Sequence, residues 1–558
     1  MQQYQQWLNN SNLELDLQKE LKMLNQEQIE DAFYTDLSFG TGGMRGVMGV
    51  GTNRMNIYTL RRANYGYGEF ILKHHKNPSV VIAYDTRKNS FLFAKESAKV
   101  LATMGIKCYL FQEVTPTPLL SFAVRFMKAQ GGIVVTASHN PPKYNGYKVY
   151  DDKGCQLVPN LADEVVALIK NAPNLFAIPA LNFEELISKK LINWVNDEVS
   201  IAYLTKVKEI SINPNLRKND FKIVFTPLHG TSAKLGYNLL HELGYDVIPV
   251  QEQMIPDSDF STVKSPNPES PEAFTLAINY AKLHQADICL ATDPDADRVG
   301  LAVKDQNEYR LLTGNQTGAI LLYYLVNERN IKHPSVVFNT IVTSELGALI
   351  AKSKGIEVIS TLTGFKFIGE QAALLEKTNK TFFFGYEESY GYVVSDFVRD
   401  KDSLQALLLC SEVANFYKQQ GKTLLMVLDE IYQKFGYFID EQLNFSLEGS
   451  KGLEQIDKIL NSFRNELIEK IDHFLVTIKE DYLLGQRFEN KKQTKITLPQ
   501  SNVLKYILND GSWFVLRPSG TEPKMKVYFS VSDLTYEKAH EKFQIIKNAV
   551  LAKIKEVG

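Results

Sequence analysis

At 558 residues the chain is long enough for about three or four domains, which excludes a peptide or a single small module. Its 44% hydrophobic and 23% charged residues, with 33 Gly and 20 Pro, are those of a globular protein and exclude wholesale disorder or collagen-like repetition. Lys and Arg total 62 against 64 Asp and Glu; the net charge of -2 supplies no global attraction to nucleic acid or anionic membrane and leaves only local basic pockets.

The chain opens on Met1-Gln2-Gln3-Tyr4, without the basic segment and apolar core of a secretory signal. The first 35 or so residues lack Gly and Pro and carry Leu13, Leu17, Leu21 and Leu24 at helical spacings, so they predict an N-terminal helical extension. Three apolar strands ending in small polar loops follow, at Val80 to Asp85, Lys222 to Pro227 and Ser335 to Thr340. Each leads into a helix-compatible segment. Their separations of 142 and 113 residues predict three comparable α/β units with mostly parallel sheets buried on both faces. From about 403 to 480 the pattern is helical and charged, which places the last boundary near 440. Two strands, Ser512 to Leu516 and Lys526 to Ser530, then flank a Gly/Pro loop, and an amphipathic helix runs from about Tyr536 to Lys555; this predicts a smaller α+β domain. Apolar runs such as Ile320 to Val326 are far below the roughly 18 residues of a membrane span. Cys108, Cys155, Cys289 and Cys410 are too scattered for a metal ribbon or a disulfide framework, which fits a reducing cytoplasm.

Six loops carry residues suited to chemistry. The apolar run from Gly131 ends in Thr136-Ala137-Ser138-His139-Asn140-Pro141, presenting a serine at the C-terminal end of a strand, where open α/β sheets gather ligands. The same residue types also make plain turns, and the Gly-x-Ser-x-Gly elbow of a serine hydrolase is missing. Asp293-Pro294-Asp295-Ala296-Asp297-Arg298 packs three carboxylates between two apolar strands. Like charges about 4 Å apart repel by roughly 4 kcal/mol at an effective dielectric near 20, so the cluster calls for solvent or a hard cation such as Mg²⁺ or Ca²⁺. An EF-hand is excluded, because Arg298 and Lys304 stand where its Gly and Glu belong.

Gly385-Tyr386-Glu387-Glu388-Ser389 sets carboxylates and a hydroxyl among aromatics, a combination suited to sugar hydroxyls or to an edge turn. Arg517-Pro518-Ser519-Gly520-Thr521 offers a guanidinium, two hydroxyls and a close backbone approach, as a phosphate clamp or a hairpin would. The glycine loops Gly40 to Gly46, with Arg45, and Thr361 to Lys366 permit anion-binding nests of backbone N–H groups, though each also reads as a turn.

In this order, Thr-Ala-Ser-His-Asn-Pro, Asp-x-Asp-x-Asp-Arg, Gly-x-Glu-Glu-Ser and Arg-Pro-Ser-Gly-Thr resemble the motifs of the α-D-phosphohexomutase superfamily, the match spanning positions 40 to 524. Phe39 to Asn56 is similar to the branch of glucose-phosphate and pentose-phosphate mutases. The resemblance implies four domains around a central cleft: three related α/β domains with mixed, mostly parallel sheets and a C-terminal α+β domain. Residues 1–205 would hold the helical extension and the phosphoserine loop, 206–318 the metal loop, 319–440 the sugar-recognition loop and 441–558 the phosphate-binding loop.

The implied mechanism passes a phosphoryl group from Ser138 to a sugar monophosphate and back, through a bisphosphorylated sugar. Asp293, Asp295 and Asp297, with the Ser138 phosphate, would bind one Mg²⁺, and Arg298 would touch that phosphate. Lys148 and Arg45 add positive charge, and Lys148 is the candidate general acid or base, a role that needs a lowered pKa. His139 divides between catalytic assistance and loop support. Glu387 and Ser389, with Glu388 as the alternative to Glu387, would orient the sugar beside Gly364 and Lys366. Arg517, Ser519, Gly520 and Thr521 would hold the non-reacting phosphate. The implied partners are small sugar phosphates, with glucose 1,6-bisphosphate as activator; nucleic acid and membrane are not. The resemblance implies interconversion of glucose 1-phosphate and glucose 6-phosphate, with a phosphopentomutase or phosphomannomutase reaction as the nearest alternatives; a phosphatase, or a non-catalytic sugar-phosphate or divalent-ion binding protein, stands as the contrasting class.

Overall fold

The computed structural model describes residues 2–40, 42–447, 449–490, 492–519 and 524–557. The chain forms two compact units, Met1–Gly314 with Phe365–Thr423, and Asn315–Gly364 with Leu424–Gly558.

The first unit opens with three short helices, Gln2–Leu8, Leu15–Met23 and Gln26–Phe33. Asn25 separates the last two with a capping box, its side chain accepting from the Gln28 N–H while the Gln28 side chain accepts from Asn25 N–H. Trp7 is fully buried, edge-on to Phe33, Tyr58 and Phe176, which fastens the extension to the core behind it. Truncating such a ring costs about 3–5 kcal/mol.

A seven-stranded sheet follows in the order Phe39–Gly40, Gly43–Val47, Tyr144–Tyr150, Gly131–Val135, Ser79–Tyr84, Lys107–Leu110, Ile192–Trp194. The last four strands run parallel and the first three antiparallel. Gly131–Val135 is buried at every position, as its unbroken apolar run requires of a strand covered on both faces. A second, five-stranded sheet has the order Glu308–Leu311, Val299–Asp305, Ile288–Thr292, Lys222–Thr226, Asp246–Pro249. Its central strand, Ile288–Thr292, is likewise buried throughout, parallel to Lys222–Thr226 and antiparallel to Val299–Asp305. The antiparallel pair Thr381–Glu387 and Gly391–Val393, with helices Phe365–Leu375 and Ser403–Gln419, completes this unit.

The second unit contains the parallel pair Ser335–Thr340 and Glu357–Thr361 and an antiparallel sheet backed by the helix Tyr536–Val557. Two of its strands, Tyr437–Ser446 and Phe474–Asp481, lie in the stretch expected to be helical. Tyr437–Ser446 pairs over its whole length with Lys524–Asp533. Ile439, Leu443 and Phe445 pack against the core while the adjacent Asp440 and Glu441 point to opposite faces, an arrangement that only the cross-strand partner fixes. No helix among the described residues is long and apolar enough to cross a membrane.

Candidate active site

The strand Gly131–Val135 delivers its chain directly into the serine loop. Ser138 has φ 50°, a left-handed conformation that costs a non-glycine residue free energy, and its N–H donates to Thr136 Oγ1 at 2.8 Å. The buried hydroxyl donates to Asp293 Oδ2 at 2.7 Å and lies 3.2 Å from His139 Nδ1. Burial, followed by the charges of Arg298 and Arg45, holds the His139 imidazole well below its usual pKa, so the ring is neutral near pH 7.

The strand Ile288–Thr292 delivers the aspartate loop in the same way. One oxygen from each of Asp293, Asp295 and Asp297 lies within 4.8 Å of the others, and all three side chains are buried. Three helix starts receive the loop's carbonyls. The Thr117 N–H donates to Asp295 O at 2.8 Å, the Thr231 N–H to Pro294 O at 2.8 Å, and the Ser403 hydroxyl to Ala296 O at 2.5 Å. These are the starts of helices Thr117–Phe126, Ser232–Glu242 and Ser403–Gln419, whose N–H groups lack intrahelical partners and whose dipoles favour nearby negative charge.

The carboxylates are unequal. Asp293 accepts from the N–H groups of Asp297 and Arg298 at 3.0 and 2.9 Å, yet burial, then Asp295 and Asp297, pushes it well above the usual carboxylate range. Burial, the largest single influence, pushes Asp295 up as well, but the charge and hydrogen bond of Lys148, the hydrogen bond with Asp293 and the charge of Lys401 together outweigh it and the net shift is downward. Asp297 is also lowered overall: burial and Asp295 oppose its ionisation, and the surrounding cations, Lys401, Lys148 and Arg298 among them, together overcome them. Buried Oδ1 atoms of Asp295 and Asp297 have no hydrogen-bond partner. Converging hard oxygens, two of them orphaned, fit a divalent cation of the Mg²⁺ class.

Cations crowd this cluster. Lys148 Nζ lies 2.8 Å from Asp295 Oδ2 and 3.1 Å from Asp297 Oδ2. Burial disfavours its charge, but the two aspartates prevail and raise its pKa, opposite to the lowering expected of a general base. Arg45 is on the neighbouring strand, opposite Gly146 as Gly43 is opposite Lys148, so Arg45 and Lys148 share a sheet face. Gly146 must be glycine, since a Cβ there would strike the Thr136 carbonyl. Arg45 Nη1 donates to Asn140 Oδ1 at 2.8 Å and so reaches the serine loop.

Arg298 pairs with Glu269, with its Nε 3.8 Å from Asp297. A β-bridge from Arg298 to Gly391 brings the sugar-loop candidate alongside. Glu387 is buried there, 3.9 Å from Lys401 Nζ, while Glu388 and Ser389 lie half-buried in the turn. Lys401 Nζ is 3.4 Å from Asp297 and 5.8 Å from the centroid of Phe365, the residue before Lys366. No motif pointed to Lys401 or Glu269; the only signal for Lys401 was its charge within Arg399-Asp400-Lys401-Asp402. In the second unit Gly364 adopts φ 116°, Arg517 Nη1 donates to Tyr528 Oη at 3.4 Å, and Ser519 N–H donates to Lys524 O at 2.7 Å. Gly520 and Thr521 lie outside the described residues.

Four domain models of phosphoglucomutase/phosphomannomutase match in sequence order: alpha/beta/alpha domains I, II and III at residues 36–175, 201–306 and 313–435, and the C-terminal domain at 444–542. The chain belongs to the phosphoglucomutase/phosphomannomutase family and has its four-domain α/β architecture. A phosphoglucomutase of Staphylococcus haemolyticus is 38% identical over 516 residues, covering 92% of this chain and 93% of the relative. One of Staphylococcus aureus strain MRSA252 is 37% identical over 515 residues, covering 91% and 92%. Parafusin, a phosphoglucomutase from Paramecium, shares the fold with a TM-score of 0.71 at 17% identity, covering 94% of this chain and 96% of its own. N-acetylphosphoglucosamine mutase of Aspergillus fumigatus, solved with GlcNAc-6P and magnesium, has a TM-score of 0.50 at 14% identity, covering 94% and 97%.

Proposed function

We propose that the protein interconverts glucose 1-phosphate and glucose 6-phosphate through a phosphoserine at Ser138 and glucose 1,6-bisphosphate. The observation that carries this reading is the Ser138 hydroxyl, 2.7 Å from Asp293 within the buried aspartate cluster. In the first half-reaction the Ser138 Oγ–P bond breaks as the free sugar hydroxyl forms a new O–P bond and gives up its proton. The second half-reaction reverses this with the other phosphate, leaving the isomer and a rephosphorylated Ser138. Phosphoryl transfer depends chiefly on positioning and on charge stabilisation, which suits a nucleophile beside Arg45, Lys148, Arg298 and Lys401.

Asp293, Asp295 and Asp297, with an oxygen on Ser138, would hold one Mg²⁺, which supplies charge stabilisation at the phosphoryl group. Lys148, kept protonated by its aspartates, would supply a fixed positive charge to the transferring phosphoryl group rather than act as a resting base. His139, neutral and 3.2 Å from Ser138 Oγ, is able to accept a proton from it. Glu387 and Ser389 orient the sugar beside Gly364 and Lys366, and Arg517, Ser519, Gly520 and Thr521 hold the resting phosphate. Four buried free thiols support a reducing cytoplasm.

The test compares initial rates on glucose 1-phosphate, mannose 1-phosphate and ribose 1-phosphate, with Mg²⁺ and a trace of the matching bisphosphate, while free phosphate is followed. A glucose preference without phosphate release is expected. Faster mannose or ribose turnover would reassign the substrate, phosphate release alone would indicate a phosphatase, and the absence of turnover would indicate a binding protein.

A further inference from the structure

Arg87 lies just beyond the strand Ser79–Tyr84, outside every motif that carries the chemistry, and its side chain is fully buried. Its Nη1 donates to the carbonyls of Pro141 and Tyr144 at 3.0 and 3.2 Å, and its Nη2 to those of Ser138 and Asn140. One guanidinium therefore gathers four carbonyls of the segment that presents the nucleophile. Asp85 faces its Nε at 3.3 Å and is itself held by the Ser90 hydroxyl at 2.6 Å. The Phe260 ring, contributed by the segment that precedes the aspartate loop, lies 5.0 Å from the guanidinium.

We propose that Arg87 is a positioning residue that fixes the aim of the Ser138 hydroxyl; this rests on Ser138 as the phosphoryl carrier. Ser138 is left-handed, and its N–H is tied to Thr136. Its carbonyl is tied to Arg87, so the peptide groups on both sides of the nucleophile are pinned. A buried carbonyl cluster without a donor would be strongly disfavoured, and only a planar fork of N–H groups reaches four acceptors at once. A lysine in its place keeps the charge but has three donors on a single nitrogen, too few for this set. Misplacing a reacting group by about 1 Å costs on the order of a hundredfold in rate, so freeing this loop acts on transfer more than on sugar binding.

The test measures kcat and KM for glucose 1-phosphate, with Mg²⁺ and glucose 1,6-bisphosphate, in full-length wild type, Arg87→Lys and Phe260→Leu. The rate at which glucose 1,6-bisphosphate loads phosphate onto Ser138 is followed by intact mass. Arg87→Lys is expected to lower kcat about a hundredfold with KM changed less than about threefold, and to slow loading by the same factor. Phe260→Leu, which removes only the ring beside the guanidinium, is expected to lower kcat several-fold in the same pattern. Wild-type kcat and loading in a folded Arg87→Lys, or lost thermal stability with kcat unchanged, overturns the proposal. If Arg87→Lys does not fold, Phe260→Leu decides, and wild-type kcat there overturns it. Wild type that takes up no phosphate at Ser138 refutes the phosphoserine mechanism and this inference with it, whereas equal loading of wild type and Arg87→Lys refutes the inference alone.

Discussion

The serine loop and the aspartate loop occupy matching places, each at the C-terminal end of a fully buried strand and each turning through a left-handed residue, Ser138 with φ 50° and Ala296 with φ 55°. They are secured in opposite ways. A single side-chain charge, Arg87, collects the serine loop's carbonyls, whereas backbone N–H and hydroxyl donors at three helix starts hold those of the aspartate loop. The difference follows from what each loop carries. Lys148 and Lys401 already pair with these carboxylates, and a further guanidinium beneath them would compete for the oxygens a cation needs. Helix N-termini supply positive potential from dipoles fixed in the backbone, which cannot swing over to neutralise a side chain.

Removing the reacting group from the first loop breaks the comparison most sharply. Ser138→Ala is expected to lower kcat by about 10⁴-fold or more while leaving the circular dichroism spectrum unchanged. Substantial turnover would show that no phosphoserine is needed. On the second loop, Asp295→Asn removes the charge that lies 2.8 Å from Lys148 and one of the three converging carboxylates. It is expected to cost about a hundredfold or more in activity. It is also expected to abolish Mg²⁺-induced thermal stabilisation, expected in wild type at about 2.7 kcal/mol at a hundred times Kd for a single site. A wild-type Mg²⁺ shift in this variant would remove Asp295 from the ligand set.

The supports of the aspartate loop give smaller effects. Asp402 caps the helix that starts at Ser403, and burial raises its pKa from 3.8 to about 6 despite the hydrogen bond from Tyr203. The folded state thus binds a proton that the unfolded chain releases. This contribution to stability is complete below about pH 4 and is lost as pH rises through about 6, a change of at most about 3 kcal/mol. Asp402→Asn, which can still cap, should flatten that part of the stability profile in denaturant titrations between pH 4 and 7; an unchanged slope would mean that Asp402 is ionised throughout. Ser403→Ala removes the hydroxyl bond to Ala296 O but keeps the helix N–H groups, so a loss of about 1 kcal/mol and a few-fold fall in kcat are expected. A loss as large as that of Asp295→Asn would mean that the hydroxyl, rather than the helix starts together, holds the loop.

Legibility in the sequence tracks how local the cause is. Gly131–Val135 and Ile288–Thr292 are readable as strands because burial on both faces demands unbroken apolar runs. The aspartate cluster is readable because three carboxylates so close in sequence are costly without compensation. Tyr437–Ser446 misleads, since its mixed pattern becomes a strand only through pairing with Lys524–Asp533, some eighty residues later.

The sequence by itself determined the alternation of buried strands and helices, the order of the loops and the chemical types that each loop offers, because these follow from side-chain periodicity and short-range charge repulsion. Only the tertiary structure decided which cation serves which anion. Lys148 goes to Asp295 and Asp297, Arg298 to Glu269, Lys401 to Asp297, and Arg87 to four carbonyls. Pairing in a buried site depends on distances of a few ångströms between segments dozens to hundreds of residues apart, and the packing of strands and helices sets those distances.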